Sequence, residues 1–175
     1  PGPGSRFQRA AGIEDSPELF LRDVAAKTAG TADPCVARAL AHVGAPLVEW
    51  LADHVGVPIE LPTDFAYPGH SVPRVHSVPE RRGAVLLRRL LDAAVADDRI
   101  DLLVPARLTV IEPGAVTVEH PDGGRETVSC RAVLLATNGF GADPELVAEH
   151  LPEIAGAVYH GGPHSRGDAL RLGAA

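Results

Sequence analysis

The residues best placed to do chemistry lie between Cys130 and Gly141, CRAVLLATNGFG. An apolar run, Ala132-Val133-Leu134-Leu135-Ala136, leads into the turn Thr137-Asn138-Gly139-Phe140-Gly141. Asp143 then suits an N-cap, Pro144 the first helical position and Glu145 the first turn. The pattern predicts strand, glycine turn, helix. Glycines let a backbone approach a ligand closely, and bare N–H groups at a helix start favour an anion. An ordinary strand-to-helix turn with no ligand is the competing reading.

Other reactive side chains are scattered. His70, Arg74 and His76 fall in the proline-rich segment Tyr67–His76, where they either face a bound anionic group or form a solvated loop. Asp168 follows Gly167 and is placed both to cap a helix and to meet a ligand. His160 and His164 are separated by Gly161-Gly162-Pro163, which rules out a helical metal-binding pair, so no metal site is expected. Cys35 and Cys130 fit neither a zinc motif nor a disulfide framework, which points to a reducing cytoplasm; Cys35 is expected on the core side of a helix. Gly139-Phe140-Gly141 is not a dinucleotide fingerprint, because Pro144 stands at the third glycine position.

These residues need elements to hold them. A helix is predicted from Pro17, capped by Ser16 and ended by Gly30. A second runs from Asp33-Pro34 to about His54, with Val36, Leu40, Val43, Leu47 and Trp50 among its apolar positions and a kink or break at Pro46. The segment from Val57 to Pro79 reads as an extended loop. A third helix spans about Gly83 to Ala96, with Val85, Leu86, Leu90, Leu91 and Ala94 facing the core. Ile100 to Val104 and Ala132 to Ala136 are expected as buried strands of a parallel sheet. Between them, Leu108–Ile111, Val116–Glu119 and Glu126–Val128 form a meander turning at Pro113-Gly114 and at Pro121-Asp122-Gly123-Gly124. Helices follow Pro144 and Gly167. The order fits an α/β domain with a small antiparallel β insertion. Pro1–Gly12 reads as turn-rich and basic. With 175 residues and no initiator methionine, the chain is expected to be one domain's worth of a larger or processed product. Its net charge of −7 argues against nucleic acid as a partner. No apolar run is long enough to span a membrane.

ATNGFG followed by a short acidic helix resembles the ATGGF segment of FAD-dependent oxidoreductases of the fumarate reductase/succinate dehydrogenase flavoprotein family, which includes 3-ketosteroid dehydrogenases and tricarballylate dehydrogenase. Asn138 stands where glycine is usual. Four more blocks resemble that family in its order: Ser5–Ile13 with Asp15-Ser16, Gly69–His76, Val104-Pro105-Ala106, and Gly167-Asp168-Ala169-Leu170. The resemblance covers nearly the whole chain. It implies FAD as cofactor, a small-molecule substrate, and hydride transfer to or from an activated C–C bond. It further implies an incomplete FAD/NAD(P)-binding, Rossmann-like domain over 1–175, whose N-terminal βαβ and substrate-capping domain would lie outside the chain. The family's catalytic arginine would lie outside too, so no catalytic residue is carried over. The implied cofactor-binding residues are Ser5, Gln8, Ala106, Ala136, Thr137, Asn138, Gly139, Gly167 and Asp168. A non-catalytic small-molecule-binding α/β domain and a truncated pseudo-enzyme are the alternatives.

Overall fold

The computed structural model describes residues 1–65 and 67–173; Ala66 of the expected loop, and Ala174 and Ala175 at the end of the expected domain, lie outside the described residues. The chain divides into two units, Pro1–Leu102 and Leu103–Ala175.

The first unit is helical. Its basic N-terminal segment is more ordered than its turn-rich composition suggests. Ser5 caps a short helix α1, Arg6–Ala10, in a capping box with Gln8. Ser16 caps α2, Pro17–Lys27, with Pro17 at its start. Asp33 caps α3, Pro34–Asp53, and α2 packs on α3. Of the kink or break expected at Pro46, a break does not occur: α3 runs through it. A proline removes one intrahelical donor, and the other hydrogen bonds of this 20-residue helix carry it past that point. The fourth helix, α4, spans Gly83–Ala96, the predicted range.

The helical spacing of the apolar positions holds in α3, but the stripe they form is not buried. Val36, Leu40, Val43, Leu47 and Trp50 lie on one exposed stripe, and the buried positions of α3 are Ala41 and Gly44. Cys35 is exposed too, not in a core. None of the five positions assigned to the core face of α4 is buried, and Leu91 is exposed. Among the described residues the buried hydrophobic side chains of this unit are Ala41, Val57 and Val78, while its largest fully buried side chains include Arg74, Gln8 and Ser5. The centre is therefore polar. The proline-rich segment is not simply extended: an antiparallel bridge between Glu60 and Ser77 ties its two ends.

The second unit carries a three-stranded antiparallel sheet in the order β1 (Arg107–Glu112), β2 (Ala115–Glu119) and β3 (Arg125–Ser129). The β1–β2 register shifts between Leu108 and Val110, and β2–β3 is regular from Ala115–Ser129 to Glu119–Arg125. In the second turn the His120 N–H donates to the Gly124 carbonyl and Asp122 Oδ1 accepts from the Gly124 N–H. The helix α5, Pro144–His150, is capped by Asp143 as expected; a 3-10 turn, Pro152–Ile154, follows. The last helix, α6, spans Asp168–Gly173.

The two predicted buried strands are absent. Residues 100–104 and 132–136 form no ladder, and Leu134 is 91% exposed. A strand is defined by its hydrogen-bonded neighbour, and among the described residues neither segment has one. Apolar runs locate segments suited to a covered sheet; they do not supply the cover.

Candidate functional site

The expected site residues fall into two groups, one in each unit. In the first unit Ser5 and Gln8 are completely buried. Gln8 Nε2 donates to Asp15 Oδ2 at 2.8 Å and to the Pro73 carbonyl at 2.7 Å, while Gln8 Oε1 accepts from the Gly4 and Ser5 N–H groups. The Ser5 hydroxyl accepts from the Gln8 N–H and lies 2.8 Å from His76 Nε2. His76 Nδ1 is 3.0 Å from the Arg74 carbonyl, which can only accept. In its neutral form His76 is therefore the Nδ1–H tautomer, with Ser5 donating its hydroxyl proton to Nε2. Burial pushes the imidazole pKa down, and the bond to the Arg74 carbonyl works against that shift.

Arg74 organises this group. Its Nε and Nη2 grip the two oxygens of Asp15 at 2.9 and 3.0 Å, a bidentate pair, and its Nη1 bonds to Asp23. Its guanidinium also lies 5.1 Å from the centre of the Phe20 ring. Neither reading of Arg74 from sequence survives: it is fully buried, not solvated, and its charge is consumed by two carboxylates, not offered to a ligand. Burial pushes Arg74 down, but its bonds to Asp15 and Asp23 outweigh this and hold it above its ordinary value. Burial likewise pushes the Asp23 carboxyl up, yet the Ser71 N–H, the Arg74 guanidinium and the Ser71 hydroxyl together hold it at about 2. His70 contacts Phe20 and Tyr67 edge-on or tilted, and its Nδ1 is buried without a partner among the described residues. Sequence reasoning missed Asp15 and Asp23 as the partners of Arg74. Neither is near it in the chain, so no spacing signal could have found them.

In the second unit, two turns meet. Asn138 has φ +65°, a left-handed conformation that asparagine tolerates better than most residues. Its Oδ1 accepts from the Gly139 N–H at 2.9 Å and its Nδ2 donates to Ser165 Oγ at 3.2 Å. The Ala142 N–H donates to the Ser165 carbonyl at 2.9 Å, and the Gly167 N–H to the Gly139 carbonyl at 3.2 Å. Asn138, Gly139 and Gly167 are thus brought together, with Asp168 next in the chain. Ser165, which the sequence did not single out, is the buried pin between them. The turn is not the anion nest expected from its glycines. The Gly139 N–H is taken by Asn138, the Leu146 N–H by Asp143, and Asp143 also pairs with Arg171 at 2.8 Å.

Asp168 does not cap α6. It is the first helical residue, and the Gly167 carbonyl accepts the Leu170 and Arg171 N–H groups. A carboxylate there still suits the positive end of the helix. Its Oδ1 lies 3.9 Å from Arg107 Nη2, which joins α6 to the start of β1 beside Ala106. Ala106 is exposed and helps line a cleft with Pro105, Arg107, Glu119, His120, Pro121 and Gly123. Ala136 and Thr137 are exposed, and a Cβ added at Gly139 would meet nothing within 4 Å. No cluster of metal-ligating side chains occurs among the described residues.

Residues 2–175 match the family model for the FAD binding domain. The chain belongs to the FAD binding domain family. It is 26% identical to Fumarate reductase 1 of Saccharomyces cerevisiae over 98% of this chain and 38% of that protein. It is 29% identical to the NADH:fumarate oxidoreductase of Klebsiella pneumoniae over 97% of this chain and 19% of the relative. The chain thus spans well under half the length of these relatives. The open conformation of a flavocytochrome c3 fumarate reductase superposes with a TM-score of 0.83 at 24% identity, covering 99% of this chain and 31% of the other. A 3-ketosteroid-delta4-(5alpha)-dehydrogenase from Rhodococcus jostii RHA1 gives 0.77 at 21% identity, covering 99% and 43%. The family match and these likenesses establish the FAD-binding fold, seen here as helices with a small three-stranded antiparallel sheet.

An open backbone at residues 136–139, a cleft beside Ala106 and the half-exposed carboxylate of Asp168 are a donor set suited to an adenosine: main-chain edges for the base, a carboxylate for hydroxyls. FAD therefore fits this unit by chemistry as well as by family.

Proposed function

We propose that this chain is the central part of an FAD-dependent oxidoreductase with a Rossmann-like cofactor domain, acting on an activated C–C bond of a small molecule in the cytoplasm. The observation that supports it best is the pair of clasped turns, 138–142 and 165–167, lying in the part of the chain where an FAD binding domain needs an open backbone edge. When bound, FAD would accept or supply the hydride. The residues of this chain would bind and orient it. Ala106 and the backbone of Ala136, Thr137, Asn138 and Gly139 would border the adenosine, Gly167 would keep the second turn close, and Asp168 would accept hydroxyl hydrogen bonds. Ser5 and Gln8 have their side chains committed inward, so their part would be to fix the segment Gly4–Ala11 through the Arg74 centre.

Such a role for 1–175 alone implies weak cofactor binding. The pyrophosphate of a dinucleotide is usually held on a glycine-rich helix start, and the chain has no such fingerprint. Titrating FAD into the 175-residue chain is expected to give a dissociation constant above about 1 μM, less than about 8 kcal/mol of binding. Sub-micromolar affinity would show that the two units suffice. The protein expressed from its whole gene is expected to purify yellow with flavin absorbance; a colourless preparation that takes up no added FAD would count against the oxidoreductase reading.

Gly139 offers a cleaner probe of which surface faces the cofactor. It lacks a positive φ and has open space at its Cβ, so Gly139→Val should change stability by no more than about 0.5 kcal/mol. If that edge borders FAD, the branched side chain should weaken FAD affinity about tenfold or more, a loss of at least about 1.4 kcal/mol. Undiminished flavin affinity in this variant would place the cofactor elsewhere.

A further inference from the structure

We infer that Asn138 is a positioning residue that acts through Ser165, pinning the turn 138–142 to the turn before α6 so that Gly139 and Asp168 keep a fixed spacing; its consequence for cofactor binding rests on the FAD reading above. The family pattern places glycine at this position, and glycine alone would satisfy the left-handed φ of +65°. Asparagine does two further things. Its Oδ1 takes the Gly139 N–H at 2.9 Å and withdraws that donor from any ligand. Its Nδ2 reaches across 27 residues of sequence to Ser165 Oγ at 3.2 Å. Ser165 is only 4% exposed, so its side chain is held against the turn rather than free in water. The flanking bonds, Ala142 N–H to the Ser165 carbonyl and Gly167 N–H to the Gly139 carbonyl, join backbone to backbone. Their acceptors survive any substitution at Asn138 or Ser165, which makes these two amides independent reporters of whether the side-chain latch holds the turns together.

The deciding measurement is amide hydrogen exchange on the 175-residue chain without flavin, read at Ala142 and Gly167, in the wild type, Asn138→Ala, Ser165→Ala and Asn138→Asp. One net hydrogen bond stabilises by an amount equal to a factor of about three to ten in an opening equilibrium. Exchange at both amides should therefore quicken by about that factor in Ser165→Ala, and by more in Asn138→Ala, which also places an alanine at φ +65°. Asn138→Asp should stay near wild type, because a carboxylate still accepts from the Gly139 N–H and can accept the Ser165 hydroxyl proton. Unchanged exchange at Ala142 and Gly167 in both alanine variants would overturn the latch. FAD affinity, titrated by calorimetry on the same proteins, should fall by a similar factor in the two alanine variants and recover in Asn138→Asp. Faster exchange with unaltered FAD affinity would overturn the positioning role, and a protein expressed from its whole gene that takes up no FAD would sink the cofactor reading while the exchange data still decide the latch.

Discussion

Arg74→Met is expected to cost the first unit about 3–5 kcal/mol of stability, the largest effect of any single substitution in this half of the chain. The guanidinium bridges two carboxylates, Asp15 and Asp23, and both the Arg74 and Asp15 side chains are fully buried. Removing the cation leaves the Asp15 charge in a place water does not reach, and that uncompensated charge is the main penalty. Arg74→Lys should recover only part of the loss, because an ammonium cannot hold both oxygens of Asp15 while also bonding Asp23. Urea unfolding followed by circular dichroism reads the change, and a loss below about 1 kcal/mol would mean the ion group is dispensable. The same centre sets an acid limit. The folded Asp23 carboxyl is held at about 2, below its ordinary value of 3.8. A depressed pKa contributes stability that is fully present above the ordinary value and fades as pH falls towards the folded one. The stability gap between wild type and Asp23→Asn should therefore be constant above about pH 5 and close between about pH 4 and pH 2. A gap that persists unchanged at pH 2 would assign the effect of the substitution to packing.

Gly167→Val is expected to be the most damaging change in the second unit. Gly167 has φ +76°, which costs a residue with a Cβ about 1–2 kcal/mol, and a β-branched one more. A Cβ there would also fall 2.3 Å from Leu146 Cδ1 and 3.1 Å from Phe140 Cβ. The leucine tip can turn aside, but the phenylalanine Cβ moves only with its backbone, and overpacking of this kind adds about 1–3 kcal/mol. The combined loss is about 2–5 kcal/mol. It should spread the turns 138–142 and 165–167, because the Gly167 N–H to Gly139 carbonyl bond runs through the same contact. Gly167→Ala places the same Cβ against Leu146 and Phe140 but adds no branch, so it should lose less than Gly167→Val. Thermal unfolding of both variants, with FAD affinity alongside, separates strain from cofactor loss. A Gly167→Val protein as stable as wild type would show that the turn relaxes without cost.

How much of this was legible in the sequence follows the range of the interactions. Local chemistry was readable. Ser16-Pro17, Asp33-Pro34 and Asp143-Pro144 opened helices where their side chains could take the first free N–H groups, and Gly114 and Gly123 turned the meander at positive φ. The order of five short motifs was enough to indicate an FAD-binding fold, because each motif is contiguous. Burial and pairing between distant segments were not readable, because they depend on what lies opposite. The stripe on α3 and the runs at 100–104 and 132–136 have the right apolar periodicity, yet they are exposed and the two runs form no strand. Arg74 had looked like a loop cation, and Asp168 like a cap. Only the tertiary structure brought Asp15 and Asp23, 59 and 51 residues away, against that guanidinium, and only it made the Gly167 carbonyl the helix start. The physical reason is the same in each case. A capping bond or a hairpin closes within a few residues whatever the rest of the chain does, whereas a buried charge or a covered parallel strand exists only when a distant segment supplies its partner.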